Sequence, residues 1–513
     1  MDANPLRALI AHPHLEPSQK KHFLAHAAER TLPYPALSPA ASQALEEGVV
    51  SDLFEGPAPY RPRYVLPDYE KALACGCDFL ELRPPTDLDE ALSFLLALYA
   101  HVPSITGYPV YLGEIDRLLL PFTQGLDARA LERKLRLFWI TLDRLFPDAF
   151  VHANLGPRDN PVGRAILRVE RELVQVVPNL TLKVDPEQTS DDYLREAIET
   201  VFAAAKPYLV NDPMIRRDFD GPYGVASCYN TLPVGGGAHT LVRLNLAQAA
   251  ARCSSVEEFL CAALPRYVEL TLEVIRARVC FLVEEARFFE HSFLAREGLI
   301  DLDRFSAMFG VFGMAEAVNR LLAPAAMRYG KHPEANRLAY RITAQIRELL
   351  DRTQLPHCQG NGGRAFLHAQ AGADCDAGTT PGTRIALGDE PALLEHILAV
   401  APHHRHFQAG VSDIFHLDPT ARENPQAVLD IMKGAFRHGL RVFTFNLVDS
   451  PLVRITGFLV KRSELHSFRA SGSRYHSTGL GVGQHENRNV FQRKVRVLRH
   501  EELAWPDQPR PAE

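Results

Sequence analysis

Apolar positions along the chain switch between two periods. In Asp87–Tyr99, Leu88, Ala91, Leu92 and Leu95 recur every three or four residues, which predicts a helix with one apolar face. Ala130–Leu145 and Asp191–Ala205 carry the same period, and the second opens on the capping pair Ser190 and Asp191. Between such segments lie short apolar or alternating runs that predict buried strands: PNLTLKVD (Pro178–Asp185), TLVRLNL (Thr240–Leu246) and RVFTFNLV (Arg441–Val448). Two longer stretches, Val256–Arg287 and Arg304–Leu322, read as helices, the second containing FGVFGMAEAVN. Helices alternating with short strands over several hundred residues predict an α/β barrel or wound sheet. Residues 1–65, rich in Pro, Ala and His, read as an N-terminal extension or cap. Residues 66–513 read as one body without a linker, its C-terminal region beginning near residue 440.

Composition narrows the classes. The 513 residues include 46% hydrophobic and 23% charged positions, a balance that excludes disorder as the main state. Lys and Arg number 56 against 62 Asp and Glu, a net charge of −6 that argues against a nucleic-acid partner. The locally basic stretch from Lys461 to Arg499 reads as solvated surface. Eight cysteines are too few for a disulfide framework, no secretory signal is visible, and no apolar run reaches membrane-spanning length. A cytoplasmic location is expected.

Known chemical motifs are missing where they would be conspicuous. No phosphate-binding GxxxxGK[ST], strand-linked GxGxxG, GxSxG or HExxH occurs. Cys75 and Cys77 are spaced too closely for an ordinary zinc pair, and His403, His404 and His406 have no complementary ligand set nearby, so no metal is expected. Two glycine-bearing loops stand out instead. GPYGVASCYNTLPVGGG (Gly221–Gly237) holds Cys228 ahead of a predicted strand. In SPLVRITGFLVKRSE, Gly457 interrupts a strand-like pattern, the usual mark of a bulge or a close backbone approach.

LVRITGFLV resembles the signature of glycyl radical enzymes, with Arg454, Ile455, Thr456, Gly457 and Phe458 in its positions and Thr456 a mild departure. Ser104–Phe122, Pro178–Pro186, the Cys228 loop with its following LNL, and FGVFGMAEAVN are similar to superfamily segments in the same order. The cysteine loop is most like that of anaerobic ribonucleotide reductases, and the length and C-terminal layout are most like the YjjI-type subfamily. The resemblance implies a ten-stranded α/β barrel of two antiparallel half-barrels, with inner finger loops carrying the cysteine and the glycine. It implies a glycyl radical on Gly457, installed by a partner radical S-adenosylmethionine activase that carries the 4Fe–4S cluster. It implies, too, a Cys228 thiyl that abstracts hydrogen from a small-molecule substrate, and sensitivity to oxygen. A homodimer is compatible with it. Cys253, Cys261 and Cys280 read as small buried hydrophobes, while Cys75 or Cys77 is a candidate second hydrogen donor.

Departures from relatives narrow the chemistry. Diol dehydratases and aryl decarboxylases of the superfamily carry Glu two residues after the cysteine, where this chain has Asn230. Acetyl-transferring members have two adjacent cysteines, but Ser227 precedes Cys228 here. The reductases' C-terminal zinc cysteines have no counterpart after Cys375. The expectation is radical dehydration or reduction of a hydroxylated, nucleoside- or sugar-like substrate contacted by Asn230 and Asn245. Asn245 reads equally well as a plain strand-end hydrogen bonder. Other C–C or C–N cleaving radical chemistry and a non-catalytic barrel homologue are the alternatives. The RYHSTGLG stretch is expected either to close the site or to dock the activase.

Overall fold

The computed structural model describes residues 5–29, 31–52, 60–369, 379–386, 388–411, 413–454 and 458–475. Gly457, Cys375 and the residues after Tyr475 lie outside that set. Fourteen strands are numbered in chain order. They are β1 (Val50–Ser51), β2 (Tyr64–Leu66), β3 (His152–Leu155), β4 (Asn179–Val184), β5 (Tyr208–Asn211), β6 (Tyr223–Ala226) and β7 (Asn230–Pro233). The rest are β8 (Gly236–Asn245), β9 (Phe305–Phe312), β10 (Phe366–His368), β11 (Ile414–Leu417), β12 (Val442–Leu447), β13 (Leu452–Arg454) and β14 (Leu459–Lys461).

They form two five-stranded mixed sheets and two hairpins. In the first sheet β8 is the spine, with β1 and β2 antiparallel to it and β9 and β10 following in parallel. The second has the order β11-β12-β5-β4-β3, antiparallel only between β12 and β5. The hairpins are β6–β7 and β13–β14. The expected ten-stranded closed barrel is not observed: among the described residues the two sheets are open and no ladder closes them. The architecture is an α/β fold with mixed sheets.

Strands β4, β8 and β12 stand where the alternating and apolar runs predict them, and all are buried along their length. The helices Leu88–Tyr99, Ala128–Leu145 and Asp191–Ala204 match their predicted spans, each capped by Asp or Ser. Arg304–Leu322 is a correction. Phe305–Phe312 is strand β9, and only Met314–Leu321 is helical. Every residue of FSAMFGVF is buried, so the run has no polar face from which a period can be read. Gly313, with φ +77°, turns the strand into the helix. Val256–Arg287 is helical to Glu285 but widens into π-type turns at Phe259–Ala263 and Phe281–Glu285. A second correction concerns cysteines on this segment: Cys261 is exposed, and Cys253 and Cys280 are half-buried.

The first and last described segments of the chain meet. After the helix Arg462–Ser471, the Ser473 carbonyl accepts from Gln19 Nε2 at 2.6 Å. Arg474 and the Tyr475 hydroxyl each donate to the buried Asp143 carboxylate at 2.7 Å. These two residues of RYHSTGLG therefore pack onto the last turns of Ala128–Leu145.

Candidate active site

Cys228 stands at the apex of the β6–β7 hairpin. The ladder runs from Tyr223↔Pro233 to Ala226↔Asn230 and leaves Ser227, Cys228 and Tyr229 as a three-residue loop. Ser227 has φ +56°, a left-handed conformation that costs a residue with a Cβ about 1 kcal/mol or more. Its surroundings hold it there. Its N–H donates to Val110 O (2.9 Å), and its own carbonyl accepts from His152 Nδ1 and from Asn179 Nδ2 (3.4 Å). Burial pushes the His152 imidazole down to about 3, so the ring is neutral. With Nδ1 donating to Ser227, Nε2 accepts the Thr181 hydroxyl at 2.8 Å.

Two residues earlier the grip is on the main chain again. Asn154 on β3 donates to Val225 O at 2.8 Å and accepts from Val225 N at 2.7 Å, engaging both main-chain polar groups of that residue. At the root, Lys183 donates to Tyr223 O (2.8 Å) and pairs with Glu114 (2.6 Å), beside a cleft of about 470 Å³. On the far side, Thr231 donates its hydroxyl to Gln408 O.

The Cys228 thiol is buried, and burial pushes it up to about 12, against the lowering influences of the Ser227 hydroxyl (3.8 Å from Sγ) and of Arg63, Arg384 and Arg454. At neutral pH it is S–H, unsuited to nucleophilic attack and fit for transfer of a hydrogen atom.

Ile455, Thr456 and Gly457 lie outside the described residues, which resume at Phe458 after ending at Arg454. Arg454, the last residue of β13, pairs with Leu459 on β14. Its guanidinium donates to Asn446 Oδ1 (2.8 Å), to the Tyr229 hydroxyl (3.4 Å) and to Ala205 O, and lies 4.3 Å from the Tyr208 ring centre. Phe458 is buried, its ring 5.1 Å from that of Phe150. The residue three before Gly457 thus touches the residue one after Cys228.

The remaining candidates divide. Asn230 lies on the Cys228 hairpin, donating to Ala226 O at 3.1 Å, and its buried Oδ1 has no hydrogen-bond partner among the described residues. Asn245 is on a different element: its side chain caps the helix Leu246–Ala250 by accepting from Gln248 N at 3.1 Å. Cys75 is exposed at a helix end. Cys77 is buried in a tight turn bridged to Leu82, where burial and Glu297 raise its thiol to about 11. His403 and His404 are bound into the core, by the Thr343 hydroxyl (2.8 Å) and the Arg441 N–H (2.9 Å) respectively. Among the described residues no group of three His, Cys, Asp or Glu side chains is placed to hold a metal, and no helix is long and apolar enough to cross a membrane. His152 and Asn154 on β3, Arg63 and Arg384 were not legible in the sequence, since their segments carry no motif of their own.

The fold has counterparts among solved structures. The hydroxyproline dehydratase of Clostridioides difficile, bound to trans-4-hydroxy-L-proline, superposes with a TM-score of 0.69 at 12% identity, covering 96% of this chain and 88% of that one. An anaerobic ribonucleotide reductase gives 0.69 at 12% identity, covering 93% and 89%. At such identity they establish the fold, that of glycyl radical enzymes. The family model described as glycyl radical enzyme YjjI-like matches residues 15–496, and the YjjI protein of Escherichia coli K12 is 48% identical over 497 residues, 96% of each chain. The chain belongs to the YjjI-like family of glycyl radical enzymes.

Proposed function

We propose that activation removes one hydrogen atom from the Gly457 Cα and that Cys228 relays the deficit to the substrate. Cys228 gives its S–H hydrogen to the Gly457 carbon, and its sulfur, one hydrogen short, takes a hydrogen atom from a carbon that bears a hydroxyl. The neighbouring hydroxyl then leaves as water, taking the proton of the hydroxyl on the radical carbon, which becomes a carbonyl, and the radical left on the adjacent carbon recovers the hydrogen from Cys228. Dehydration is redox-neutral and needs no external reductant. The substrate is a small nucleoside- or sugar-like polyol, with Asn230 and Asn245 as its amide contacts. The two open five-stranded sheets are the halves of a barrel around the hairpins. An activase carrying S-adenosylmethionine and a 4Fe–4S cluster installs the radical, which oxygen destroys.

The observation that carries this reading is the Cys228 hairpin: a buried, protonated thiol on a main-chain clamp, tied through Tyr229 and Arg454 to the hairpin of Gly457. Glycine suits a carbon-centred radical because no Cβ obstructs a planar Cα and the flanking amides share the spin. The test is anaerobic electron paramagnetic resonance after incubation with activase, reductant and S-adenosylmethionine. A doublet in the wild type that is absent in Gly457→Ala is expected; no doublet with several competent activases overturns the reading. A substrate screen in which the activated protein turns over no ribosyl or polyol compound would remove the substrate class alone.

A further inference from the structure

The hairpin that carries Cys228 holds a serine where a glycine would sit without strain. Ser227 is 1% exposed and has φ +56°, a left-handed conformation that glycine adopts freely. Its bonds to Val110, His152 and Asn179 are main-chain bonds and would form equally well around a glycine. What the serine adds is a hydroxyl, and that hydroxyl donates to Cys228 Sγ at 3.8 Å.

A second hydroxyl stands behind it. Tyr64 is on β2, which runs beside the cysteine hairpin: Leu66 O accepts from Gly235 N at 2.7 Å, and a Cβ on Gly224 of β6 would stand 3.0 Å from Leu66 Cδ2. Tyr64 is 4% exposed, and its ring centre lies 5.0 Å from the Arg63 guanidinium. Burial holds the Tyr64 hydroxyl above its ordinary value, so it keeps its proton, and the side chains of Arg63 and Ser227 both bond to it. A guanidinium can only donate. The Tyr64 proton is therefore left for Ser227 Oγ, and the single Ser227 proton for sulfur. Hydrogen bonds in such a chain polarise one another.

We propose that Tyr64 and Ser227 are positioning residues for Cys228: the chain from Tyr64 O–H through Ser227 O–H to Sγ fixes the sulfur and turns its own hydrogen away from the serine. This rests on the reading of Cys228 as the hydrogen-transfer residue. The same chain keeps the hydrogen deficit on one sulfur. An O–H bond is much stronger than an S–H bond, so a thiyl at Cys228 takes no hydrogen from Ser227. A cysteine at position 227 would give its S–H hydrogen to that thiyl and become the thiyl itself, one S–H bond forming as the other breaks.

The test is Raman difference spectroscopy of the unactivated full chain in the S–H stretching region. Subtracting the spectrum of Cys228→Ser isolates the Cys228 band from those of the other cysteines, and each variant is paired with its own Cys228→Ser double. The band is expected to shift in Ser227→Gly, which removes the hydroxyl and the strain together, and to shift less in Tyr64→Phe. The melting temperature of Ser227→Gly stays near that of the wild type. After activation in D2O the thiol carries deuterium, and its exchange with the Gly457 Cα replaces the coupled hydrogen and collapses the doublet to a singlet. That collapse is expected to be about tenfold slower in Ser227→Gly. A band that stays in place in either variant overturns the proposal, as does a collapse as fast as in the wild type. Should Ser227→Gly fail to fold, Tyr64→Phe carries the test alone. The band is read without a radical, so a wild type that gives no doublet removes the radical reading while the hydrogen-bond chain stands or falls on its own result.

Discussion

The two hairpins that meet at Arg454 and Tyr229 are held in different ways. The β6–β7 hairpin is gripped through its main chain by Asn154, His152, Val110 and Lys183, which stand on or beside the second sheet. The described part of the β13–β14 hairpin is held by side chains: the Arg454 guanidinium and the Phe458 ring. A main-chain grip fixes position regardless of what the neighbouring side chains do. A side-chain grip is released as a unit when its few anchors let go. The difference teaches which partner of the proposed hydrogen-transfer pair the fold holds still: the cysteine, which on that proposal meets both glycine and substrate.

Removing the reacting atoms is the most severe way to test that contrast. Cys228→Ser should abolish turnover while the glycine-centred doublet still forms on activation, and Gly457→Ala should abolish both. A Cys228→Ser protein that still turns over would end the division of labour.

The next effect down comes from Asn154→Ala, which leaves the Val225 N–H and C=O buried without their partner. That costs about 3 kcal/mol of stability and displaces the thiol enough to lower turnover on the order of a hundredfold. Asn154→Asp keeps the acceptor-competent shape but cannot donate to Val225 O and accepts only from its N–H, so it separates the two bonds. Thermal melting and single-turnover rates read both variants.

Arg454→Lys is expected to do less to the whole protein. It keeps a positive charge but loses the fork shared among Asn446, Tyr229 and Ala205, a loss of about 2 kcal/mol. Turnover should fall about tenfold, with a smaller drop in melting temperature than Asn154→Ala produces. If melting temperature fell further than in Asn154→Ala, the side-chain grip would be the stronger one and the comparison would reverse.

The smallest effect is the pH dependence of the thiol. Its value is raised from about 9 to about 12 by burial. Below pH 9 both folded and unfolded chains keep the proton, and the contribution is constant. Between pH 9 and 12 the unfolded chain loses the proton first, so stability falls as pH rises through that window. Cys228→Ser removes this term, and chemical denaturation at pH 8 and pH 10 should show a shallower alkaline loss than in the wild type. Equal losses in the two proteins would mean that the thiol is less enclosed than its hairpin implies.

Much of the scaffold was legible because its periods are clean. Asp191–Ala204 shows one apolar face and a serine cap, and β12 shows a short apolar run bounded by polar residues. Phe305–Phe312 was misread because a strand buried on both faces offers no alternation, and FGVFG merges into the helix behind it. The loop that holds Cys228 was legible from its glycines, and the structure places it at a hairpin turn. The residues that hold the cysteine loop were not, because Asn154, His152 and Val110 are separated from it by 70 or more positions and meet it only through the sheet. Arg63 and Arg384 carry still less signal: an arginine in a loop is ordinary until the fold buries it.

The clamp on β6–β7 also bears on how such a catalyst diversifies. Asn154 reads only the peptide of Val225, and His152 and Val110 read only the peptide of Ser227. None of these anchors inspects a side chain. The Val225 and Ser227 side chains are therefore not what these anchors hold, and the loop keeps its address within the fold through main-chain atoms that every residue type carries.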